Sequence, residues 1–460
     1  MNELLTRRHL LSLPLAAPLY SQTAGRKLNV LLIAVDDLNN RLGCYGDKLV
    51  QSPNIDRLAA RGVRFDRAYC NYPLCNPSRT SLLSGRRPDT TRIFDNTTPP
   101  RTHLGDVAFL PEHFSRHGYF TGRVGKIAHG RFEDAVQWDV SEFARAGGDR
   151  RAQRPPVPKK KEDGGAAKLF WQATDNADAD EPDGRTARRI VQLMEQNQEK
   201  PFFLGAGFHK PHLPWIAPKK YFDLYPPERI ELPRTPPNDR DDIPPIALTR
   251  TASDQEMTDL DRKKAIAAYH AATTFMDAQV GVLLDALDRR KLWDSTVVLL
   301  FGDHGWHLYD HLGLWRKMSL FEESARAPLV VAAPGFKPGA ASPRLVEFVD
   351  FYPTLCELCG LAAPDGMEGA SLVPLLRDPQ RPWKKAAFTV VRRGRDTLGR
   401  SVRTARHRYT EWGIETLAEL YDHQTDPREW RNLAGDPKHA ATLAEMRRVL
   451  RDGWRAALPG

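Results

Sequence analysis

Four short runs of this chain are almost free of polar side chains: Val30–Val35, Phe202–Phe208, Val297–Phe301 and Leu329–Ala332. A strand with one wet face alternates apolar and polar residues. An unbroken apolar run therefore marks a strand covered on both faces, as in a parallel sheet between helical layers. Amphipathic helical patterns lie between the runs, from about Ala187 to Glu195 and from about Ala265 to Leu287. Strands alternating with helices predict a three-layer α/β domain. Near Pro379 the pattern changes to short strand-like pieces (Ala387–Val391, Ser401–Thr404, Tyr409–Trp412) and a last helix near His439–Leu458. The 460 residues exceed one ordinary domain. We expect a main domain over 25–378 and a smaller α+β subdomain with an antiparallel sheet over 379–460. Arg150–Gly165 and Leu232–Pro245, rich in charge and Pro, read as solvated loops.

The first 24 residues have the layout of an export signal. Arg7-Arg8 precede an apolar run from Leu10 to Tyr20, then small and polar residues, which fits the twin-arginine route and a periplasmic or extracellular destination. That run is too short to cross a bilayer, and no later run is longer. The formal charge of +9 favours anionic partners. The Lys and Arg are scattered, with no basic helix and no zinc-finger or RNA-binding motif, so nucleic acid is not expected. Five cysteines, an odd number in an exported chain, point to one thiol with another fate. Cys356 and Cys359 share a helical apolar pattern and read as buried helix cysteines, with a disulfide between them left open.

Val30–Val35 runs directly into Asp36-Asp37, and Val297–Phe301 runs through Gly302 into Asp303-His304. Ligands of open parallel sheets gather at the carboxyl ends of the strands. Three carboxylates brought together there repel unless a cation neutralises them, and hard oxygen donors favour Ca²⁺ or Mg²⁺. Helix capping by the same acids is the competing reading. In Leu74-Cys75-Asn76-Pro77-Ser78-Arg79, Pro77 suits a first helical turn and Gly85 its end. Cys75 then stands at a helix N-terminus, where N–H groups attract anions, with Arg79 one turn further on.

These residues resemble a known signature. Cys75-x-Pro77-Ser78-Arg79 with Leu83-Ser84-Gly85 is similar to the motif of the type I sulfatases, whose cysteine a maturation enzyme oxidises to formylglycine. Ser84-Gly-Arg-Arg-Pro-Asp-Thr-Thr-Arg92, Phe202-Phe-Leu-Gly-Ala-Gly-Phe-His-Lys-Pro-His-Leu-Pro214 and Phe301-Gly-Asp-His-Gly-Trp306 resemble the iduronate-2-sulfatase-like branch. Glu419-Leu-Tyr-Asp-His, Asp426-Pro and Asn432-Leu433 resemble the family's C-terminal ending. The resemblance implies an alkaline-phosphatase-like sandwich and one divalent cation, calcium ahead of magnesium. It makes Asp36, Asp37, Asp303, His304 and the formylglycine at position 75 the metal ligands. Arg79 would hold the formylglycine, Lys126 and His129 would stand beside it, His209 would lie near the leaving oxygen, and Lys317 would bind sulfate. Leu308-Tyr309-Asp310-His311 departs from the family pattern, so His307, Tyr309 and His311 either touch the sugar or shape a loop.

The implied substrate is a sulfated carbohydrate, with uronate units in view. The hydrated aldehyde offers two hydroxyls: one attacks sulfur with help from Asp303 or Arg79, and His209 or Lys317 protonates the departing alkoxide. The second hydroxyl, deprotonated by His129, then expels sulfate. A phosphodiesterase or phosphonate hydrolase of the same superfamily is the nearest rival. An inactive binder of sulfated polysaccharide is the rival from another class.

Overall fold

A computed structural model describes residues 27–143, 169–197, 199–249 and 256–459. The export-signal stretch and the Arg150–Gly165 loop lie outside the described residues.

The centre is an eight-stranded sheet. In chain order it contains β1 (Asn29–Val35), β2 (Val63–Tyr69), β3 (Phe120–Gly125) and β4 (Val140–Glu142). A separate two-stranded ribbon pairs β5 (Trp171–Thr174) with β7 (Trp215–Pro218), flanking the central β6 (Phe202–Phe208) in sequence. The sheet continues with β8 (Thr296–Gly302), and a hairpin of β9 (His307–Tyr309) and β10 (Leu314–Arg316) follows it. β11 (Leu329–Ala332) and β12 (Ala340–Glu347) complete the sheet, in the order β12-β2-β11-β8-β1-β6-β3-β4.

Each apolar run forms a strand, and β1, β6 and β8 lie side by side and parallel. β11 corrects one expectation: Leu329–Ala332 belongs to the sheet but runs antiparallel to β8 and β2. The chain leaves β8 at the carboxyl end and stays there through residues 303–328. With no crossover to the opposite end, it re-enters in the reverse direction. β2, β3 and β12 escaped notice because charged residues interrupt them, as in Val-Arg-Phe-Asp-Arg-Ala-Tyr of β2.

Alternate β1 residues feed two cores. Val30, Leu32 and Ala34 pack with Leu82, Leu83, Phe114 and Phe351 on one face. Leu31, Ile33 and Val35 pack with Ile190, Leu193, Val280 and Leu284 on the other. The second face is covered by helices Pro182–Gln196 and Asp259–Arg289, each longer than its sequence pattern. Cys356 and Cys359, at the end of helix Phe351–Leu358, are buried free thiols, which closes the disulfide option.

β13 (Ala387–Arg393), β14 (Thr397–Arg403), β15 (His407–Trp412) and β16 (Ile414–Asp422) form an antiparallel meander, followed by helix Ala440–Ala457. β13 lies against the strand-end segment before Cys75: Val390 N–H donates to the Asn71 carbonyl at 3.0 Å and Thr389 Oγ1 to that of Cys70 at 2.8 Å. Buried charges lock the junction. Arg408 bonds both Glu322 and Glu429, while Lys384 sits 2.8 Å from Glu347 and 2.6 Å from Asp350. Among the described residues, no helix is long and apolar enough to cross a membrane.

Candidate active site at the carboxyl ends of the central strands

Register brings the acidic pairs together. Val35 of β1 is the partner of Gly302 of β8, so Asp36-Asp37 and Asp303-His304 leave adjacent strands side by side. The Asp37 N–H donates to Asp303 Oδ1 at 3.0 Å, and Asp37 adopts left-handed φ of 62° to turn inward. Tyr269 fixes that turn by donating to the Asp37 carbonyl at 2.8 Å and accepting the Asn39 N–H at 2.9 Å.

Cys75 opens helix Cys75–Ser84, which ends at Gly85 with φ 65°. Ser78 Oγ donates to the Asp303 carbonyl at 2.5 Å and docks this helix against the end of β8. Cys75 Sγ lies 3.4 Å from His304 Nε2 and 3.6 Å from Lys317 Nζ. Arg79 points the same way. Its Nε donates to Asp303 Oδ2 at 2.8 Å, and Nη2 reaches Asp36 Oδ1 at 3.4 Å. Its Nη1 donates to the carbonyls of Lys126 and Ile127 at 2.6 and 3.0 Å. The Lys126 ammonium sits 2.5 Å from Asp36 Oδ2, and Lys317 bonds Asp37 Oδ1.

Asp36, Asp37, Cys75 and His304 each present a donor atom within 4.8 Å of the others, and all four are buried. Asp303 borders this group, with its oxygens on the Asp37 N–H and Arg79 and Oδ1 3.6 Å from His304 Nε2. Among the described residues, Asp37 Oδ2 has no hydrogen-bond partner although it is buried. Burial, and then Asp36 and Cys75, push the Asp37 carboxyl up to about 7 against the pull of Lys317. Burial opposes ionisation of Asp36 too, but Lys126, His212 and Arg79 hold it well below the usual carboxylate range. An orphaned oxygen on a reluctant carboxylate, facing a second carboxylate and an imidazole, is the donor set a divalent cation relieves. The residues fit such an ion.

His129 and His209 line a pocket of about 620 Å³ with Lys126, beside the acidic cluster. His209 Nδ1 lies 3.7 Å from Asp36 Oδ2, and its side chain is 42% exposed at the mouth. Burial, and then Lys126, lower the His129 pKa to about 4, so its ring is neutral at pH 7. Sequence reasoning missed His212, whose Nε2 stands 3.8 Å from Asp37 Oδ2. The spacing His209-x-x-His212 directly after a buried strand was the available signal. It also missed two glycines. A Cβ on Gly207 would fall 2.3 Å from the Lys126 nitrogen, and one on Gly125 would fall 2.0 Å from the Gly207 oxygen. Only bare backbone lets β3 and β6 end this close.

A family profile described as Sulfatase matches residues 28–361, and one described as N-sulphoglucosamine sulphohydrolase, C-terminal, matches 302–455. Iduronate 2-sulfatase of Mus musculus is 32% identical over 516 residues, covering 91% of this chain and 93% of that protein. The chain belongs to the sulfatase family. The delta 4,5-hexuronate-2-O-sulfatase of Bacteroides thetaiotaomicron is 31% identical over 457 residues, covering 93% and 89%. A phosphonate monoester hydrolase of Agrobacterium radiobacter shares the alkaline-phosphatase-like fold, with TM-score 0.79 over 94% of this chain and 96% of its own at 24% identity.

As a sulfatase the chain is a sulfuric ester hydrolase, and the family brings a formylglycine and a divalent cation. The departure after Trp306 is also explained. His307 and His311 of this sulfatase are 0% and 2% exposed, so they shape the loop rather than meet a sugar.

Proposed function

We propose that this sulfatase removes sulfate from uronate-containing sulfated carbohydrate, through a formylglycine made from Cys75 by a maturation enzyme. One observation carries the reading: the residue-75 side chain stands within 3.4–3.6 Å of both His304 Nε2 and Lys317 Nζ, beside the buried carboxylates of Asp36 and Asp37. The two uronate-2-sulfatase relatives support the sugar class. We further propose export by the twin-arginine route to the periplasm or beyond, and a division of labour between a catalytic unit over 25–378 and an appendage over 379–460.

In this proposal Asp36, Asp37, Asp303, His304 and residue 75 hold the cation. An ion held there would supply Lewis-acid polarisation of the sulfate oxygens and stabilise an ionised hydroxyl of the hydrated aldehyde. Calcium is preferred over magnesium because the family resemblance implies it; hard carboxylate donors suit either ion. Arg79 orients residue 75 through Asp303 and Asp36. Lys126 and Lys317 place two positive charges where the SO₃ group gathers negative charge. Lys317, or His209 at the mouth, donates a proton to the departing sugar oxygen; burial and then Lys210 lower the His209 pKa to about 3, which favours Lys317 as the donor. Neutral His129 accepts the proton whose loss releases sulfate from residue 75 and restores the aldehyde.

The test has two arms. Mass spectrometry of the Cys75 peptide reports conversion of thiol to aldehyde, which lowers its mass. Parallel assays with matched sulfate and phosphate esters then rank the reactions. An unconverted Cys75 in active protein, or phosphate turnover above sulfate turnover, would overturn the proposal in favour of its superfamily rivals.

A further inference from the structure

The hairpin after His304 carries Lys317 on a strained backbone. Between Tyr309 and Met318, five non-glycine residues have left-handed φ: Tyr309 at 71°, His311 at 46°, Leu312 at 52°, Arg316 at 75° and Met318 at 79°. Each costs an L-residue on the order of 1 kcal/mol or more, and such strain persists only where surrounding contacts over-determine it.

Those contacts are buried and polar. His311 Nδ1 lies 3.1 and 3.2 Å from the two carboxylate oxygens of Asp239, and its ring stacks on Phe321 with centroids 4.1 Å apart. Asp239 is 1% exposed, although it sits in the Pro-rich stretch 232–245 that reads as a solvated loop. Its neighbour Arg240 donates through Nε to the His311 carbonyl at 2.6 Å. On the returning arm, His307 Nε2 pairs with Ser319 Oγ at 2.7 Å. Arg393 of β13 donates to the Met318 carbonyl, and the Met318 N–H donates to Pro73 at 3.2 Å. Burial opposes a charge on His311, but the Asp239 hydrogen bond, with Glu323 and Asp310 nearby, raises its pKa to about 9. At the end of this clamped segment, Lys317 reaches Asp37 and lies 3.6 Å from Cys75 Sγ.

We propose that Asp239 is a positioning residue: through His311 it holds the 309–318 hairpin in the strained form that sets the Lys317 ammonium between Asp37 and residue 75. A strained hairpin released from this pair relaxes toward right-handed or extended φ, and Lys317 moves with it. Displacement of a catalytic group by about 1 Å is enough to cost on the order of 100-fold in rate. The inference rests on the sulfatase reading for its activity readout, and on backbone protection for a readout that needs no substrate.

Asp239→Asn and His311→Gln, in full-length protein matured to the same formylglycine content, are compared with Lys317→Ala and with both double variants. Sulfate-ester turnover and amide hydrogen exchange are measured on each. We expect either single variant to lower kcat about 10- to 100-fold with KM within about 3-fold. Added to Lys317→Ala, neither change lowers kcat further, because both act through that lysine. Exchange rises across 309–318 and stays unchanged in β1, and Asp239→Glu recovers most of the activity and protection. The proposal is overturned by wild-type turnover in Asp239→Asn and His311→Gln. It is equally overturned by an undiminished further loss in the Lys317→Ala background, or by a rise in exchange spread over the whole sheet. Should the wild-type protein turn over no sulfate ester, the sulfatase reading falls, and unchanged exchange at 309–318 in both variants then overturns this proposal separately.

Discussion

Arg79 Nε donates to Asp303 Oδ2 at 2.8 Å with both side chains sealed from solvent, at 1% and 0% exposure. This contact ties the helix that begins at residue 75 to the end of β8. The same guanidinium reaches Asp36 and two backbone carbonyls, so one planar fork joins three chain segments. A lysine carries the charge but cannot span those partners. Arg79→Lys is expected to fold with reduced stability and to lose on the order of 100-fold or more in kcat/KM. Arg79→Ala removes the guanidinium from buried Asp303 Oδ2 and is expected to cost about 3–5 kcal/mol in denaturant unfolding of the metal-free protein. Wild-type turnover in Arg79→Lys would remove the fork from the mechanism.

Cys75→Ala tests the nucleophile. Cys75 is 1% exposed at a helix start and loses only its thiol in this change. Turnover is expected to vanish while the melting temperature stays within a few degrees. Near-normal activity would eliminate covalent chemistry at this position.

Chelation tests the cation. An ion bound to folded protein alone stabilises it by about 2.7 kcal/mol at a concentration 100 times its Kd. Excess chelator is therefore expected to lower activity and melting temperature together, and added calcium to restore both. Full activity with an unchanged melting curve would count against the site at Asp36, Asp37 and His304.

Gly207→Ala tests the close approach of β3 and β6. The added methyl meets Lys126 backbone atoms at 2.3–2.4 Å, which no side-chain rotation relieves. The strand ends must part, carrying the Lys126 ammonium away from Asp36. A loss of roughly 1–3 kcal/mol in stability is expected from overpacking, with a larger proportional loss in kcat. Unfolding curves and turnover of one preparation give both quantities.

The pH dependence of stability has a clear sign at His270, which is 1% exposed. Burial, and then Arg41, hold its pKa at about 3 against the pull of Asp47, far below the ordinary 6.5. The unfolded chain therefore takes up this proton first as pH falls. His270's contribution is present above pH 6.5 and drains away toward the folded value, at about 1.4 kcal/mol per pH unit for one buried histidine. His270→Gln is expected to flatten the fall in melting temperature between pH 6.5 and 4. An identical slope in the variant would contradict it.

The sequence by itself determined the layered architecture and the meeting of the two acidic pairs at one end of the sheet. Short apolar runs set between amphipathic helical patterns read as buried strands, and acids placed after two of them emerge at the sheet's carboxyl end. Cys75, Pro77, Arg79 and Gly85 are local signals, readable because helix starts and stops depend on neighbours a few residues away. The direction of β11 was beyond local reading, since it depends on the end of the sheet at which the chain re-enters. So were the partners of Arg79, the near-collision of Gly125 with Gly207, and the pairing of Asp239 with His311 across 72 positions. A residue's polarity says whether burial is costly. Which distant group offsets that cost is decided only when the strands take their register and the loops pack above them.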